Sequence, residues 1–222
     1  MNLKEFLKKY KHAVTWAYAG IYLPWFFWLE RRSVKSYHVI HMDIDDKIPF
    51  NEVFIVPYLL WFGYVAATFL FFFFNDIKSY HKMCLFLFSG MTIFLIISTV
   101  YPNGHLLRPV TFARDNIFTQ AVAGLYKADT PTNLFPSIHV YNSIGTHLAI
   151  IKSERLNKKK GLCTASFVLM MLIIMSTVLL KQHSIFDMIT AFIMAGIAYV
   201  LVYHNDWVFS NDKENEYQRT LS

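Results

Sequence analysis

The sequence predicts an all-α membrane protein, built as a bundle of six transmembrane helices. Of its 222 residues, 55% are hydrophobic and 18% aromatic, while only 16% are charged, which is a more apolar balance than soluble domains have. Several stretches also approach the roughly 20 apolar residues that a helix needs to cross a bilayer. The six predicted spans are Ala13 to Leu29, Val53 to Phe74, Met83 to Tyr101, Phe135 to Ile151, Gly161 to Leu180 and Ser184 to Tyr203.

The first span needs a separate argument, because it follows a lysine-rich N-terminus that includes Lys4, Lys8 and Lys9. A basic start before an apolar run is also typical of a secretory signal. No small-residue cleavage site follows the aromatic cluster that ends at Trp28. We therefore expect this segment to stay in the protein as a membrane anchor.

Basic loops determine the predicted orientation, because short loops rich in Lys and Arg stay on the cytoplasmic side. The strongest such loop is Lys152 to Lys160, between the fourth and fifth spans. With six spans, both termini and the loop holding Lys78 and Lys82 fall on that side. We expect a multi-pass protein of the plasma or cytoplasmic membrane, with cytoplasmic termini, a membrane domain over residues 1–209 and a flexible cytoplasmic tail over residues 210–222.

Three ionisable residues lie at the ends of predicted spans, where apolar side chains are expected: His139, His183 and Asp187. An ionisable group at membrane depth is costly, so it usually has a function. The four-residue step from His183 to Asp187 places both on one helical face. The predicted topology brings these residues and the loop carrying Arg108 to the same extracytoplasmic face. We therefore predict an active site there.

These residue types suit phosphate chemistry. An imidazole such as His183 can attack phosphorus when a carboxylate, here Asp187, holds its other nitrogen. A second imidazole, His139, can protonate the departing alkoxide, since its pKa is near neutral. Arg108 and Lys181 can neutralise the phosphoryl oxygens.

Ser137 is a further candidate for substrate binding. It lies at the start of the fourth span, where a hydroxyl and the first backbone amides of a helix can bind an anion. Other polar residues receive less specific interpretations. We expect an exposed loop position for His105, a buried and hydrogen-bonded position for His147, and a bilayer-anchor or packing role for Trp61. A further group of polar residues could suggest a metal site, but their spacing matches no known type of metal site. We therefore expect an interfacial loop there. The residues are His38, His41, Asp43, Asp45 and Asp46.

The motifs resemble those of the type 2 phosphatidic acid phosphatase superfamily, which includes membrane lipid phosphatases, sphingolipid phosphotransferases and vanadium haloperoxidases. That family carries Lys, six residues and Arg-Pro; then Pro-Ser-Gly-His; then Ser-Arg, five residues, His, three residues and Asp. This sequence has Arg108-Pro109, Pro136-Ser137-Ile138-His139, and Ser176-Thr177 followed by His183 and Asp187 at the same spacing. The resemblance implies that His183 is the nucleophile, Asp187 its orienting partner and His139 the acid.

The sequence departs from the family pattern at three positions: Tyr101 replaces Lys, Ile138 replaces Gly and Thr177 replaces Arg. Lys181 could supply one missing cation, and Arg114 or Lys127 another. A Pro-Ser-aliphatic-His motif is similar to that of inositol phosphorylceramide synthases and related bacterial members. This likeness places Ile138 among the predicted substrate-binding residues.

The resemblance and the chemistry together predict a lipid phosphatase that forms a phosphohistidine and needs no metal or organic cofactor. Its partners would be the bilayer and a lipid phosphate ester. The net charge of +6 is concentrated beside the spans, which favours anionic lipid headgroups over nucleic acid. Two alternatives stay open: a phosphotransferase that moves a headgroup between lipids, and a non-catalytic lipid-binding protein. The sequence names neither the lipid nor the oligomeric state.

Overall fold

Helices form most of the computed structural model, which describes residues 10–204. Residues 1–9, with Lys4, Lys8 and Lys9, lie outside the described residues, as does the predicted tail over residues 210–222. The helices are α1 (Ala19–Arg31), α2 (Asp43–Lys47), α3 (Ile55–Asn75), α4 (Ile77–Val100), α5 (Ile117–Ala128), α6 (Ile138–Lys152), α7 (Lys160–Leu179) and α8 (Ile185–Tyr199).

Shorter elements extend and connect these helices. A 3₁₀ helix, Lys11–Tyr18, leads into α1, another covers Glu52–Phe54 before α3, and a π-helical segment, Val200–His204, follows α8. The two-residue strands β1 (His38–Val39) and β2 (Asn103–Gly104) pair in parallel. They join the loop after α1 to the loop after α4.

Four helical stretches are long and apolar enough to cross a membrane: Glu52–Asn75, Ile77–Val100, Lys160–Leu179 and Ile185–His204. They correspond to the second, third, fifth and sixth predicted spans. The prediction of a helical membrane protein is therefore confirmed, with four candidate spans. Each is an almost uninterrupted apolar run, which is the sequence signal that membrane helices give most clearly.

The other two predicted spans have different forms. The first begins as the 3₁₀ helix Lys11–Tyr18, and its α-helical part, α1, contains Pro24. The fourth is α6, whose 15 residues extend about 22 Å at 1.5 Å per residue, less than the roughly 30 Å of a hydrocarbon core. Helix α6 begins at Ile138 and not at Phe135, since Pro136 disfavours a helical conformation of the residue before it.

Helix α6 lies at the centre of the bundle, where it packs against α3, α4, α7 and α8. Three of its polar residues are buried: Asn142, Ser143 and Thr146. The Ser143 hydroxyl donates to the His139 carbonyl at 2.6 Å and the Thr146 hydroxyl to the Asn142 carbonyl at 2.7 Å. Bonds within the helix satisfy these hydroxyls, so a helix with polar residues is stable inside an apolar bundle.

Two glycines let α4 and α6 approach closely. A Cβ at Gly90 of α4 would lie 2.0 Å from a ring carbon of Tyr141, and one at Gly145 of α6 would lie 2.4 Å from the Phe86 ring. The Tyr141 and Phe86 rings stack with centroids 4.7 Å apart, and the Tyr141 hydroxyl donates to the Phe86 carbonyl at 2.8 Å. No other side chain fits at these two positions without displacing a ring.

The two ends of the bundle differ in their polar contacts. At the end where α6 finishes, here called the basic end, the Asp76 carboxylate accepts hydrogen bonds from Ser79 and from the Ser153 hydroxyl, the latter at 2.9 Å. This joins the α3–α4 turn to the loop after α6. At the end where α6 begins, here called the histidine end, Glu30 accepts from Thr130 at 2.7 Å and from Asn133 at 3.1 Å. The long loop before α6 is thereby fixed to the end of α1.

We expect Gly90→Ala to lower the free energy of unfolding by about 1–3 kcal/mol, because the new methyl group forces the Tyr141 ring out of its position. The control is Gly196→Ala in α8, where a Cβ has open space and alanine favours the helix. Thermal unfolding of the purified variants in detergent measures both effects. Equal stability of Gly90→Ala and the wild type would contradict this packing.

Candidate active site

The structure brings His139 and His183 together at the histidine end. His139 is the second residue of α6, and His183 lies two residues before α8. Their ring centroids are 5.8 Å apart, with the ring planes inclined at 58°. The start of α6 and the segment before α8 therefore bring two imidazoles to one location.

His183 has the buried carboxylate of Asp187 as its partner. The His183 Nδ1 lies 3.4 Å from Asp187 Oδ2, and the two side chains are 5% and 0% exposed. The same oxygen accepts the Ser184 amide at 3.0 Å, while the Ser184 hydroxyl accepts from Phe186 N. This reciprocal arrangement is a capping box, which fixes Asp187 in the first turn of α8. With Nδ1 held, Nε2 is the His183 nitrogen that is available for chemistry.

The start of α6 is connected to this helix cap. The Ser137 amide donates to the Asp187 carbonyl at 3.3 Å, and the buried Ser137 hydroxyl caps α6 by accepting from Val140 N. The Ile138 side chain packs on the apolar cluster between α1 and α4 that includes Leu29 and Phe94. The Ile138 side chain therefore has a packing role. The participation of Ile138 in substrate binding stays a prediction, and it would use the backbone amide.

Aromatic rings of α3 surround His139. The ring centroids of Tyr58 and Trp61 lie 4.7 Å and 4.4 Å from that of His139. Tyr58 is 2% exposed. His139 thus has two aromatic neighbours from α3 in addition to the His183 ring, and Trp61 contacts the predicted acid as well as packing in the bundle.

The Arg108 guanidinium is buried and is engaged by its own loop. Nη1 donates to the Asp129 carbonyl at 2.6 Å and to the Tyr126 carbonyl at 3.4 Å, and Nη2 donates to the Thr130 carbonyl at 3.3 Å and to Gln182 Oε1. Burial lowers the pKa of Arg108, whereas the Asp129 carboxylate, 3.6 Å from Nη2, raises it. Guanidinium stays protonated in proteins, so Arg108 brings a positive charge to the residue before His183.

Gln182 connects the loop of Arg108 to the segment that contains His183. It is 1% exposed, its side-chain oxygen accepts from Arg108, and its carbonyl accepts His105 Nε2 at 2.8 Å. His105 Nδ1 accepts from Leu107 N, so the proton is on Nε2, and burial lowers the pKa of His105 to about 4. His105 is thus a neutral, buried structural residue, which corrects the expectation of an exposed loop position.

Lys181 uses its ammonium to hold the loop after α2. Its Nζ donates to the carbonyls of Asp45 and Ile48, both at 2.6 Å, and its backbone has a positive φ of 51°. Burial lowers the pKa of Lys181, and the nearby Asp45 and Asp46 raise it. Lys181 therefore lies close to His183 in sequence, but two of its N–H groups are used within the protein.

Asp45 is a site-supporting residue that the sequence did not reveal. Its carboxylate, 2% exposed, accepts the Ser184 hydroxyl at 2.6 Å, the Ile185 amide at 2.8 Å and the Met42 amide at 2.9 Å. Asp45 thus attaches α2 to the first turn of α8. We expected an interfacial loop here, but Asp45 belongs to the contacts that hold the segment around His183.

The other positions proposed to replace the missing motif cations lie elsewhere. Arg114 is 72% exposed and pairs with Glu52 at 3.4 Å, and Lys127 is exposed near the end of α5. Tyr101, at the motif's Lys position, stacks on His38. Thr177, at the Arg position, accepts the Gln182 and His183 amides through its carbonyl. Within residues 10–204, no group of three or more His, Cys, Asp or Glu side chains is arranged to hold a metal ion.

Several predicted site residues have buried polar atoms without a partner, as do some residues elsewhere in the described part of the chain. Arg108 Nε, His139 Nδ1, Gln182 Nε2 and Asp187 Oδ1 are buried and make no hydrogen bond within the protein. Buried polar atoms are nearly always paired, and exceptions often mark functional sites. Three of these four residues, Arg108, His139 and Asp187, are predicted site residues, and Gln182 directly precedes His183.

Comparison with known proteins identifies one family. Residues 106–210 match the family model described as the PAP2 superfamily, and the matched segment contains Arg108, His139, His183 and Asp187. It covers just under half of the chain. No curated protein and no solved structure matches the chain. The resemblance predicted from the motifs is thereby confirmed.

We expect Asp45→Ala to lower the free energy of unfolding by about 2 kcal/mol or more, because the Ser184 hydroxyl and the Ile185 amide would lose their buried acceptor. Asp43→Ala is the matched control, since Asp43 belongs to the same short helix but is exposed. Thermal unfolding of both variants in detergent makes the comparison. Equal destabilisation by the two substitutions would contradict the conclusion that Asp45 holds α2 to the start of α8.

Proposed function

We propose, from the premise that residues 106–210 form a PAP2 superfamily segment, that this protein is a membrane-embedded lipid phosphatase. It would hydrolyse a phosphomonoester or diphosphate lipid through a phosphohistidine at His183. The family match and the apolar helices support a membrane phosphatase-like protein at the coarse level. The observation that carries the finer proposal is the pairing of His183 with Asp187 at 3.4 Å, with the His139 ring 5.8 Å away.

The first half of the proposed reaction uses the two histidines in opposite roles. His183 Nε2 attacks phosphorus, and Asp187 stabilises the positive charge that develops on the imidazole. The bond between phosphorus and the lipid oxygen breaks, and protonated His139 donates its proton to that oxygen. The lipid alcohol leaves, and the phosphoryl group stays on His183.

The second half returns the enzyme to its starting state. Neutral His139 takes a proton from water as the water oxygen attacks phosphorus. The bond between phosphorus and His183 Nε2 breaks, which releases inorganic phosphate. His139 is then protonated again and His183 is free.

Phosphoryl binding would depend on neutral donors as well as on charge. Arg108 Nε and Gln182 Nε2 are buried donors without a protein partner, so they can bind phosphoryl oxygens without breaking an existing bond. The first backbone amides of α6 lie near the positive end of the helix dipole, so they would also favour binding of the negatively charged phosphoryl group. In this proposal Gln182 takes part of the role of a missing motif cation.

An apolar groove supports a lipid as the substrate. The groove lies between α4 and α8, has a volume of about 560 Å³ and is lined by side chains such as Ile93, Ile97 and Ile193. Phe135 and Pro136, directly before Ser137, also line it. A hydrocarbon chain in this groove would therefore place its polar end near the start of α6.

The predicted topology belongs to the same proposal. The 3₁₀ helix with α1, and the central helix α6, would complete the six-helix bundle of the membrane domain. The basic loop Lys152 to Lys160 lies at the opposite end of α6 from His139, so the positive-inside rule places the histidine end on the extracytoplasmic side. Both termini, which lie outside the described residues, would then be cytoplasmic.

His183→Ala should reduce phosphate release by about 10³-fold or more, because removal of a nucleophile eliminates the covalent step. The assay uses purified protein in detergent with phosphatidic acid, phosphatidylglycerophosphate and prenyl diphosphates. His41→Ala, an exposed histidine outside the site, serves as control and should keep normal activity. Retained turnover in His183→Ala would end the nucleophile assignment.

Charge at the site favours a second candidate function, a phosphotransferase that moves a phospho-headgroup between lipids. Arg108 is largely engaged by carbonyls, and Lys181 donates to the α2 loop. A phosphodiester carries one negative charge where a phosphomonoester carries up to two, so it needs less neutralisation. The same phosphohistidine chemistry would then end with attack by a lipid hydroxyl in place of water.

Labelled phosphatidylinositol or phosphatidylcholine, supplied with ceramide or diacylglycerol as acceptor, separates the two candidates. A transferase converts the acceptor into a new labelled lipid, whereas a phosphatase releases phosphate from monoesters alone. Vanadate, which mimics five-coordinate phosphorus, should raise the melting temperature in either case. Absence of both products and of vanadate stabilisation would favour the non-catalytic lipid-binding alternative.

A further inference from the structure

A polar pocket lies at the basic end of the bundle. It has a volume of about 330 Å³, and four basic side chains line it: Lys78, Lys82, Lys152 and Arg155. Lys152 is the last residue of α6, while His139 is near its first, so roughly 20 Å of helix separates the two sites. The pocket is therefore distinct from the proposed active site.

Two carboxylates, Asp76 and Glu154, also line the pocket. Asp76 is occupied by hydrogen bonds from Ser79 and Ser153. Glu154 is 89% exposed and lies 3.9 Å from Lys78, a distance and exposure at which ion pairs contribute little. Among the described residues that line the pocket, four bases face two acids, a formal difference of two positive charges.

Tyrosine side chains give the pocket an ordered wall. The Lys152 ammonium lies 5.1 Å from the Tyr199 ring centroid and the Lys82 ammonium 5.8 Å from that of Tyr203. The two rings stack 6.0 Å apart. Tyr203 lines the pocket, and its hydroxyl is buried without a hydrogen-bond partner among the described residues.

The pocket is also held in shape by the protein itself. Its residues come from the start of α4, the end of α6 with the following loop, and the π-helical segment after α8. The bond between Ser153 and Asp76 joins the first two of these elements. An anion would therefore meet a site that is already assembled, which reduces the ordering that binding requires.

We propose that this pocket binds the phosphate group of an anionic phospholipid, from the membrane leaflet opposite the two histidines. Clustered Lys and Arg at the ends of membrane helices attract anionic headgroups. Free inorganic phosphate has the same chemistry. The lipid is the occupant we assign, since α4 and the π-helical segment, which both contribute pocket residues, belong to candidate membrane spans. This inference does not depend on the proposed enzymatic function.

The experiment measures the thermal stability of the full-length protein in phosphatidylcholine nanodiscs, with increasing phosphatidylglycerol. A ligand that binds only the native state raises the melting temperature. Lys78→Gln/Arg155→Gln should weaken the apparent affinity for phosphatidylglycerol by about tenfold or more. Lys158→Gln/Lys159→Gln is the matched control, because it removes the same charge from exposed residues of the same loop and should stay within about twofold of the wild type.

A third variant covers the case in which the double substitution in the pocket prevents folding. Glu154→Gln removes a negative charge from the rim, so it should strengthen phosphatidylglycerol binding. Unchanged binding in Glu154→Gln, or equal loss in the two double variants, would overturn the proposed site. Stabilisation by inorganic phosphate without any by phosphatidylglycerol would overturn the assignment of the lipid as occupant. Binding of the lipid at the histidines is unchanged in all three variants, so it does not affect the comparison.

Discussion

Two buried carboxylates need hydrogen-bond donors, and this need organises the histidine end. Asp45 and Asp187 are 2% and 0% exposed, and an unpaired buried charge is strongly unfavourable. The start of α8 supplies donors to both, since the Ser184 amide bonds Asp187 while the Ser184 hydroxyl and the Ile185 amide bond Asp45. The helix dipole favours both negative charges there. His183, one residue before this cap, is consequently held by the same contacts.

The start of α6 depends on the same kind of polar contact. Its first turn lies beside the capped start of α8, through the bond from Ser137 N to the Asp187 carbonyl. The helix begins at Ile138, so His139 lies in its first turn, between the α3 aromatic rings and the His183 ring. Farther along α6, the Ser143 and Thr146 hydroxyls donate to carbonyls of their own helix, so these buried hydroxyls are satisfied inside the bundle.

The sequence was most informative where a local pattern determines the structure. Uninterrupted apolar runs predicted α3, α4, α7 and α8, and the four-residue step predicted the pairing of His183 with Asp187. It was least informative where contacts join distant segments. Asp45 and Ser184 are 139 residues apart, and nothing in the Asp43 to Asp46 region indicates which acid is buried. Lys181 has the charge expected beside a phosphate, but at its positive φ of 51° its ammonium bonds the α2 loop.

The opposite ends of the bundle use their cations in different ways. At the histidine end, Arg108 and Lys181 are buried and donate to carbonyl oxygens, so their charge is fixed and much of their hydrogen-bonding capacity is used. At the basic end, Lys78, Lys152 and Arg155 are exposed around a pocket with an excess of positive charge. A phosphoryl group at the histidines would therefore be bound chiefly by the Arg108 Nε and Gln182 Nε2 donors. The guanidinium carries a positive charge and the Gln182 amide does not, so a charge-assisted bond from Arg108 would contribute more to that binding than a bond from Gln182.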